Sequence, residues 1–312
     1  MNRFNRPLLI VITGPTASGK SALAVSLALR LGAEVISSDS RQIYHGIPIV
    51  TATPTPEEMC GVTHHLIDVL PLDAYYSASE FEQDALRIAR RQFEECGVAV
   101  VCGGSMMYVD ALCNGIDDLP TVPEEIRSGL MEEWKEKGDA WLLERLALLD
   151  SAHYANVDKK NMKRVFHAVE ISMTAGVPYS SLVTGKKKER DFNILKICLD
   201  GAREKLFARI NSRVDKMVEI GLEEEARGVY HLRHLNSLNT VGLKEMFAWF
   251  DGVFTKDEAI SRIKKNTRVY AKKQLTWYKR DPDMMRLDFE DGIECNTEKI
   301  ITLAGRYPGN MS

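Results

Sequence analysis

The chain has no CxxC pair, and its six cysteines (Cys60, Cys96, Cys102, Cys113, Cys198 and Cys295) are scattered without metal-like spacing. That pattern excludes a zinc ribbon or a dithiol redox motif and reads as free thiols in a reducing cytoplasm. No apolar run approaches the roughly 18 residues that a membrane helix needs. The apolar run at 8–13 is too short for a typical signal sequence and leads into a glycine turn, not a small-residue cleavage site. The expectation is a cytoplasmic protein with no membrane partner. There is no internal repeat and no low-complexity tract. Neither charge is in excess: 41 basic residues face 44 acidic ones, for a net charge of -3. A uniformly basic nucleic-acid coat is excluded, whereas a local basic patch is not. Hydrophobic residues make up 45% of the 312 positions and charged ones 27%. These are globular proportions, with length for about two structural units at roughly 150 residues each.

Short apolar strands are expected at residues 8–13, 34–37 and 98–102, with helices at 21–31 and 79–96 between them. Such alternation implies an α/β fold with a parallel sheet core and helices on both faces. Ligands then gather at the carboxyl ends of the strands. The texture changes near Asp117. Residues 117–150 are acidic and helical, 158–175 read as a helix stopped by Gly176 and Pro178, and 185–190 as a solvated loop. The reading is a core over 1–116, an inserted helical subdomain over 117–190, and a return to the core over 191–290. That return begins with a strand at 192–199 and continues in C-terminal helices at 203–230, 241–247 and 256–279. The tail, 291–312, is expected to be partly loose.

Gly14-Pro15-Thr16-Ala17-Ser18-Gly19-Lys20-Ser21 fits the GxxxxGK[ST] phosphate loop, with a strand before it and a helix after it. Glycines let backbone N–H groups converge on phosphate oxygens, and the helix N-terminus adds a favourable field. Lys20 reaches the outer phosphate, and Ser21 can hold Mg²⁺. Such a loop reads a di- or triphosphate, not a particular nucleotide. The strand at 98–102 runs into Gly103-Gly104-Ser105 where an ordinary ATPase would carry an Mg²⁺-associated Asp. A pyrophosphate that is not a nucleotide therefore stays open. Asp39, after the second strand, can be a general base, a partner of the metal's shell, or a turn cap.

Together these segments resemble the tRNA dimethylallyltransferase (tRNA isopentenyltransferase) family. The resemblance is carried by Gly14 to Ser21, by Ser38-Asp39-Ser40 with Gln42 and Tyr44, and by Thr51-Ala52. It continues through His64 to Asp68, Tyr76-Ser77 to Phe81, Gly103-Gly104-Ser105-Met106-Met107-Tyr108 and Arg164 to Glu170. Val241-Gly242, Thr267-Arg268 and Lys272-Lys273-Gln274-Leu275-Thr276-Trp277 complete it. The resemblance implies transfer of a dimethylallyl group from dimethylallyl diphosphate to N6 of adenosine 37, beside the anticodon of certain tRNAs. It implies that Gly14, Thr16, Ala17, Ser18, Gly19, Lys20 and Ser21 grip the donor diphosphate, with Mg²⁺ as cofactor. Asp39 is then the catalytic base, Lys20 neutralises the leaving group, and the Ser105 hydroxyl reaches the bridging or leaving oxygen. Contacts to the tRNA anticodon stem-loop are implied at Ser40, Gln42, Lys163, Arg164, His167, Lys244, Arg268, Lys272, Lys273 and Gln274. Nothing demands more than a monomer.

The chain departs from the family pattern at several positions. Asn239 stands where Arg is usual, Leu243 replaces Tyr, Lys244 replaces Arg and His167 replaces Arg. No Lys follows Thr51-Ala52. An Asn cannot supply the fork of donors that Arg does. Between Arg262 and Arg280 eight basic residues occur with no acidic one, a surface suited to an RNA backbone. His64-His65 and His231-x-x-His234 form no convincing metal set, and a structural role is expected for His231 and His234. An ATP-dependent small-molecule kinase would share the phosphate loop and the Mg²⁺ site. A tRNA-binding relative with reduced activity would share the basic helix. Transfer to free AMP would use similar chemistry but would not need the inserted helices.

Overall fold

The computed structural model describes residues 6–306. The chain runs β1 (Leu8–Thr13), α1 (Lys20–Leu31), β2 (Val35–Ser37), α2 (Pro48–Thr51), α3 (Pro56–Met59), β3 (His64–His65), α4 (Ala78–Cys96), β4 (Val98–Cys102) and α5 (Met106–Asn114). Then come α6 (Glu124–Leu149), α7 (Ser151–Asn156), α8 (Met162–Ala175) and α9 (Tyr179–Leu182). The last part holds β5 (Asn193–Asp200), α10 (Arg203–Glu219), α11 (Leu222–Val229), α12 (Leu243–Phe250), α13 (Lys256–Tyr278), β6 (Met285–Asp288) and α14 (Ile293–Gly305).

Two compact units result: one of the residues up to Asn114 and from Glu189 onward, the other Gly115–Lys188. The first is built on a parallel sheet in the order β3-β2-β4-β1-β5-β6. β1 lies between β4 and β5, and its six residues are all buried because helices cover both faces. Alternation along β1 divides them: Leu9 and Val11 enter the core shared with α4, α5, α12 and α13, whereas Leu8, Ile10 and Ile12 enter the core shared with α1 and α14. Where the chain leaves and rejoins this unit, Arg190 is fastened to the α5 carbonyls of Leu112 (3.1 Å) and Ala111 (3.0 Å) and to Glu82 on α4 (2.6 Å). Glu82 and Arg190 are both largely buried, so neither charge stands alone in the interior.

The second unit packs α6 against α8 around Leu130, Leu142, Leu146, Val165, Phe166, Ala168 and Val169. α6 bends at Gly138, and the Trp134 indole N–H reaches the Asp139 carboxylate across the bend at 2.8 Å. Asp150 holds the following turns together, accepting from the His153 backbone N–H and from the Ser180 backbone and hydroxyl.

Two expectations need correction. Residues 203–230 are not one helix: α10 ends at Glu219 and Gly221, at φ 111°, starts α11. Residues from 291 are not loose up to the last described one. Ile300 and Ala304 of α14 are fully buried against α1, Ser26 and Thr297 share a 2.9 Å hydroxyl bond, and Arg30 pairs with Glu294 and Glu298. The short apolar periodicity of α14 (Ile293, Ile300, Ala304) was hidden by the polar stretch before it. His64-His65 forms the edge strand β3, paired with Val35 and Ile36. Residues 307–312 of the expected tail lie outside the described residues.

Replacing Ile300 with Ala tests the packing of α14. Loss of this buried side chain should lower stability by about 2–5 kcal/mol, read as a shift of the urea midpoint. An unchanged midpoint would mean that α14 contributes nothing to the fold.

Candidate active site

The carboxyl ends of β1, β2 and β4 open into one cleft of about 540 Å³. β1 delivers the phosphate loop. Gly14 sits at φ 139°, and a Cβ there would run into the carbonyl oxygen of Leu199 on the neighbouring strand, so the position admits only glycine. Ala17 (φ 64°) and Gly19 (φ 92°) both take the left-handed backbone conformation in the turn that leads into α1. Ser18 is buried and holds the Pro15 carbonyl at 2.9 Å, stiffening the loop from within. Lys20 donates to the same carbonyl at 2.7 Å. Burial pushes the Lys20 ammonium down to about 8, partly offset by Asp39. Thr16, Lys20 and Ser21 line the cleft.

β2 delivers Asp39. Its Oδ1 accepts the Arg41 N–H at 2.9 Å and the Gln42 N–H at 3.4 Å, which fixes the carboxylate's direction. β4 delivers Gly103-Gly104-Ser105. The Ser105 hydroxyl accepts the Ser40 N–H at 2.8 Å and donates to the Ser40 hydroxyl at 3.1 Å. Ser105 lines the cleft, but its proton is directed at Ser40. Gln42 also lines the cleft. Its amide N–H groups are taken by the Thr51 and Ala52 carbonyls, both at 3.2 Å, and its oxygen accepts the Ser37 hydroxyl at 3.1 Å.

The C-terminal helices supply the opposite wall. Along α13, Ile263, Asn266, Thr267, Tyr270, Lys273 and Gln274 follow helical spacing and all line the cleft. Gln274 is 2% exposed. Its oxygen accepts the Thr16 N–H at 3.1 Å and its nitrogen donates to the Gly104 carbonyl at 2.8 Å. The resemblance implied a tRNA contact here; in the structure the buried amide ties two strand-end loops together. Arg268 and Lys272, unlike Gln274, do not line the cleft. Arg268 donates to Asn211 at 2.5 Å, and both cations lie over the Phe207 ring of α10. Lys244, Asn239 and Val241 do line the cleft. The nearby Glu245 carboxylate is occupied by the Gly242 N–H (2.8 Å) and the Asn266 amide (2.7 Å).

Arg213 is the residue that sequence reasoning missed. It lines the cleft from α10, donates to the Thr16 hydroxyl at 3.2 Å and is held below the usual guanidinium range by burial, with Asp39 opposing that effect. A signal was present: Leu206, Ile210 and Val214 form the buried stripe of α10, and Arg213 is on that same face. The cleft thus gathers Lys20, Arg41, Arg213, Lys244 and Lys273 around Asp39, with an apolar wall of Val50, Ile210, Val214, Met217, Leu222, Val241 and Ile263. A small ligand with an anionic head and an apolar tail suits both parts.

In the second unit Lys163, Arg164 and His167 share the exposed face of α8, whose other face is core. His167 Nδ1 lies 2.9 Å from Glu170, which Arg127 also grips at 2.9 Å. In the first unit His64 also lines the cleft; burial lowers its pKa, and its Nδ1 donates to Val62 at 2.9 Å. His65 is bonded to Glu34 at 2.7 Å. Among the described residues no group of three or more His, Cys, Asp or Glu is arranged to hold a metal, and no helix is long and apolar enough to cross a membrane.

The family model described as IPP transferase matches residues 42–281. The tRNA dimethylallyltransferase 2 of Parabacteroides distasonis is 51% identical over 276 residues, covering 88% of this chain and 92% of that one. The chain belongs to the IPP transferase family. Solved structures agree with that assignment. The full-length tRNA isopentenylpyrophosphate transferase of Bacillus halodurans has a TM-score of 0.71 at 35% identity, with 96% of each chain covered. A eukaryotic dimethylallyltransferase acting on tRNA reaches a TM-score of 0.84 at 25% identity, covering 98% of this chain and 80% of that one. This IPP transferase carries the α/β fold with a central parallel sheet expected from its sequence.

Two measurements follow. Filling the phosphate loop should restore the charge of Lys20, so binding of inorganic diphosphate at pH values above about 8 should take up protons. Calorimetry in buffers of different ionisation enthalpy reads this directly; a heat independent of buffer would contradict it. Replacing Gln274 with Ala leaves the Thr16 N–H and Gly104 carbonyl without their partner. Stability should fall by about 1–3 kcal/mol, while the salt dependence of tRNA binding stays as it was. A flattened salt slope with unchanged stability would restore Gln274 to the RNA interface.

Proposed function

We propose that this IPP transferase moves the dimethylallyl group of dimethylallyl diphosphate to N6 of adenosine 37 in the anticodon loop of tRNA. Dimethylallyl transfer to tRNA follows from membership of the family; the position of the base and the roles of the residues are the proposal. The observation that carries it is Asp39, a carboxylate with one oxygen tied to the backbone, set among cations in a cleft that also has an apolar wall.

The exocyclic amine of adenine is a poor nucleophile because its lone pair is delocalised into the ring. In the proposed step a bond forms between N6 and C1 of the donor as the C1–O bond breaks. The proton leaving N6 goes to the Asp39 carboxylate, and diphosphate departs with the bonding pair. Lys20, Arg213 and the loop amides hold the charge that develops on the leaving oxygens. Val214, Met217 and Ile263 provide apolar surface for the five-carbon group. Ser105 steadies Ser40 beside Asp39. The hydroxyl of Ser21 suits Mg²⁺, which takes few protein ligands and completes its shell with phosphate and water. When bound it would supply further neutralisation of the leaving diphosphate.

A single-stranded anticodon loop makes extrusion of the base inexpensive. Ser40, Gln42, Lys244 and Lys273 line the cleft and are proposed to meet the loop there. Lys163, Arg164 and His167 on α8, and Arg268 and Lys272 on α13, are proposed to contact the RNA backbone. An ATP-dependent kinase would share the phosphate loop but would not use the apolar wall.

The test is transfer of labelled dimethylallyl from its diphosphate to unmodified tRNA with adenosines at 36 and 37, in the presence of Mg²⁺. Label is expected on N6 of adenosine 37. Asp39→Asn should reduce the rate by about 100-fold or more, the scale of general-base catalysis, with tRNA affinity largely kept. Turnover near wild type in that variant would overturn the assignment of Asp39.

A further inference from the structure

α2 is a single turn, too short to hold itself in place. Its leading amides receive no side-chain cap from Ile47, the residue before it. They are taken instead by Glu225 on α11: the Ile49 N–H donates to Oε2 at 2.7 Å and the Val50 N–H to Oε1 at 2.8 Å. From another side Gly242, at φ 104°, leaves no room between its backbone and the Val50 side chain. At its far end α2 offers the Thr51 and Ala52 carbonyls to the Gln42 amide. Gln42 in turn donates its backbone N–H to Asp39 Oδ1, and its side-chain oxygen accepts the hydroxyl of Ser37. Val50, Thr51, Ala52, Gln42 and Asp39 all line the cleft, whereas Glu225 does not. Hydrogen bonds joined through the backbones of α2 and Gln42 therefore lead from α11, outside the site, to the carboxylate proposed as base, the last being the 3.4 Å bond from the Gln42 N–H.

We propose that Glu225 is a positioning residue for prenyl transfer: it pins α2, α2 pins the Gln42 side chain, and Gln42 sets the direction in which Asp39 faces the cleft. The inference rests on the reading of Asp39 given above. Its physical core is that both oxygens of one carboxylate take the two adjacent backbone donors of a turn. Burial raises the Glu225 carboxyl while the two N–H bonds oppose that rise. A charge in so poorly solvated a place is sustained by those bonds. Among the described residues the Glu225 carboxylate is the α11 acceptor bonded to these amides, so its loss frees the turn to move. Displacements on the scale of 1 Å at a reacting group are enough to slow turnover severely.

The test compares kcat, the KM for dimethylallyl diphosphate and thermal unfolding, using the full chain and saturating tRNA. The variants are Glu225→Gln, Gln42→Ala and the two combined. Glu225→Gln keeps the shape but turns an NH2 group against one of the two donors. It should lower kcat by about tenfold to a hundredfold, with little change in donor KM because the phosphate loop is untouched. The double variant should be no slower than the slower single, since both break the same run of bonds. A merely structural role would lower the fraction of molecules that bind donor without lowering kcat per competent site. Glu225→Gln at wild-type kcat, or losses that multiply in the double variant, would overturn the inference. Should Glu225→Gln not fold, Glu225→Asp, which keeps the charge one methylene short, carries the same comparison. Failure of the wild type to transfer the group, or full activity in Asp39→Asn, would fall on the functional reading and not on Glu225.

Discussion

The amide of Gln274 joins three elements that have no sequence proximity. Its oxygen holds the Thr16 N–H of the phosphate loop, and its nitrogen holds the Gly104 carbonyl after β4. A buried amide with both ends satisfied is rigid, and one left half satisfied is costly. Through it, the long helix α13 is set against two strand ends at once. That contact fixes where Tyr270, Lys273 and Thr267, on the same helix face, meet the residues delivered by the sheet. The cleft is therefore a product of one side-chain bridge as much as of the parallel sheet beneath it.

The charges in the cleft follow from this enclosure. Lys20 and Arg213 are both held below their usual ranges by burial, so the cleft carries its positive charge at some cost. Asp39 opposes the shift in each case. An incoming anion relieves the same cost, which makes the site selective for diphosphate over neutral ligands. It also bears on the departure at position 239. Asn239 lines the cleft where Arg is usual, yet Arg213 reaches the phosphate loop through Thr16 and Lys244 lines the same space. The loss of one guanidinium leaves several cations, so the site remains electropositive.

Sequence patterns revealed the sheet because its strands are short, apolar and separated by amphipathic helices, and the phosphate loop because its glycines occur at fixed offsets. Asp39 could be placed at a strand end, although turn capping and catalysis predict the same residue type there. The Oδ1 bonds to Arg41 and Gln42 show that it does cap its own turn, which also leaves the other oxygen for chemistry. What sequence could not show was which face of a polar residue is used. Gln274, Lys272 and Lys273 are consecutive in a basic stretch, but helical rotation sends the first into a buried bridge between two loops, the second over Phe207 and the third into the cleft. Arg213 was obscured by the same ambiguity. The break before α11 and the burial of α14 depend on contacts with distant segments, which local periodicity does not record.

The clasp between α1 and α14 has a consequence for synthesis. The helix that begins at Lys20 is completed on one face by Ile300 and Ala304, and the Ser26–Thr297 bond spans 271 positions. β1 likewise waits for β5, which emerges only after the whole second unit has been made. The phosphate loop sits between these two elements. As the chain leaves the ribosome, the phosphate loop is thus made long before the segments that complete its native surroundings. A nascent chain that stalls before α14 would present a loop of the right sequence on a helix with an uncovered apolar face, a form more prone to capture by chaperones than to prenyl transfer.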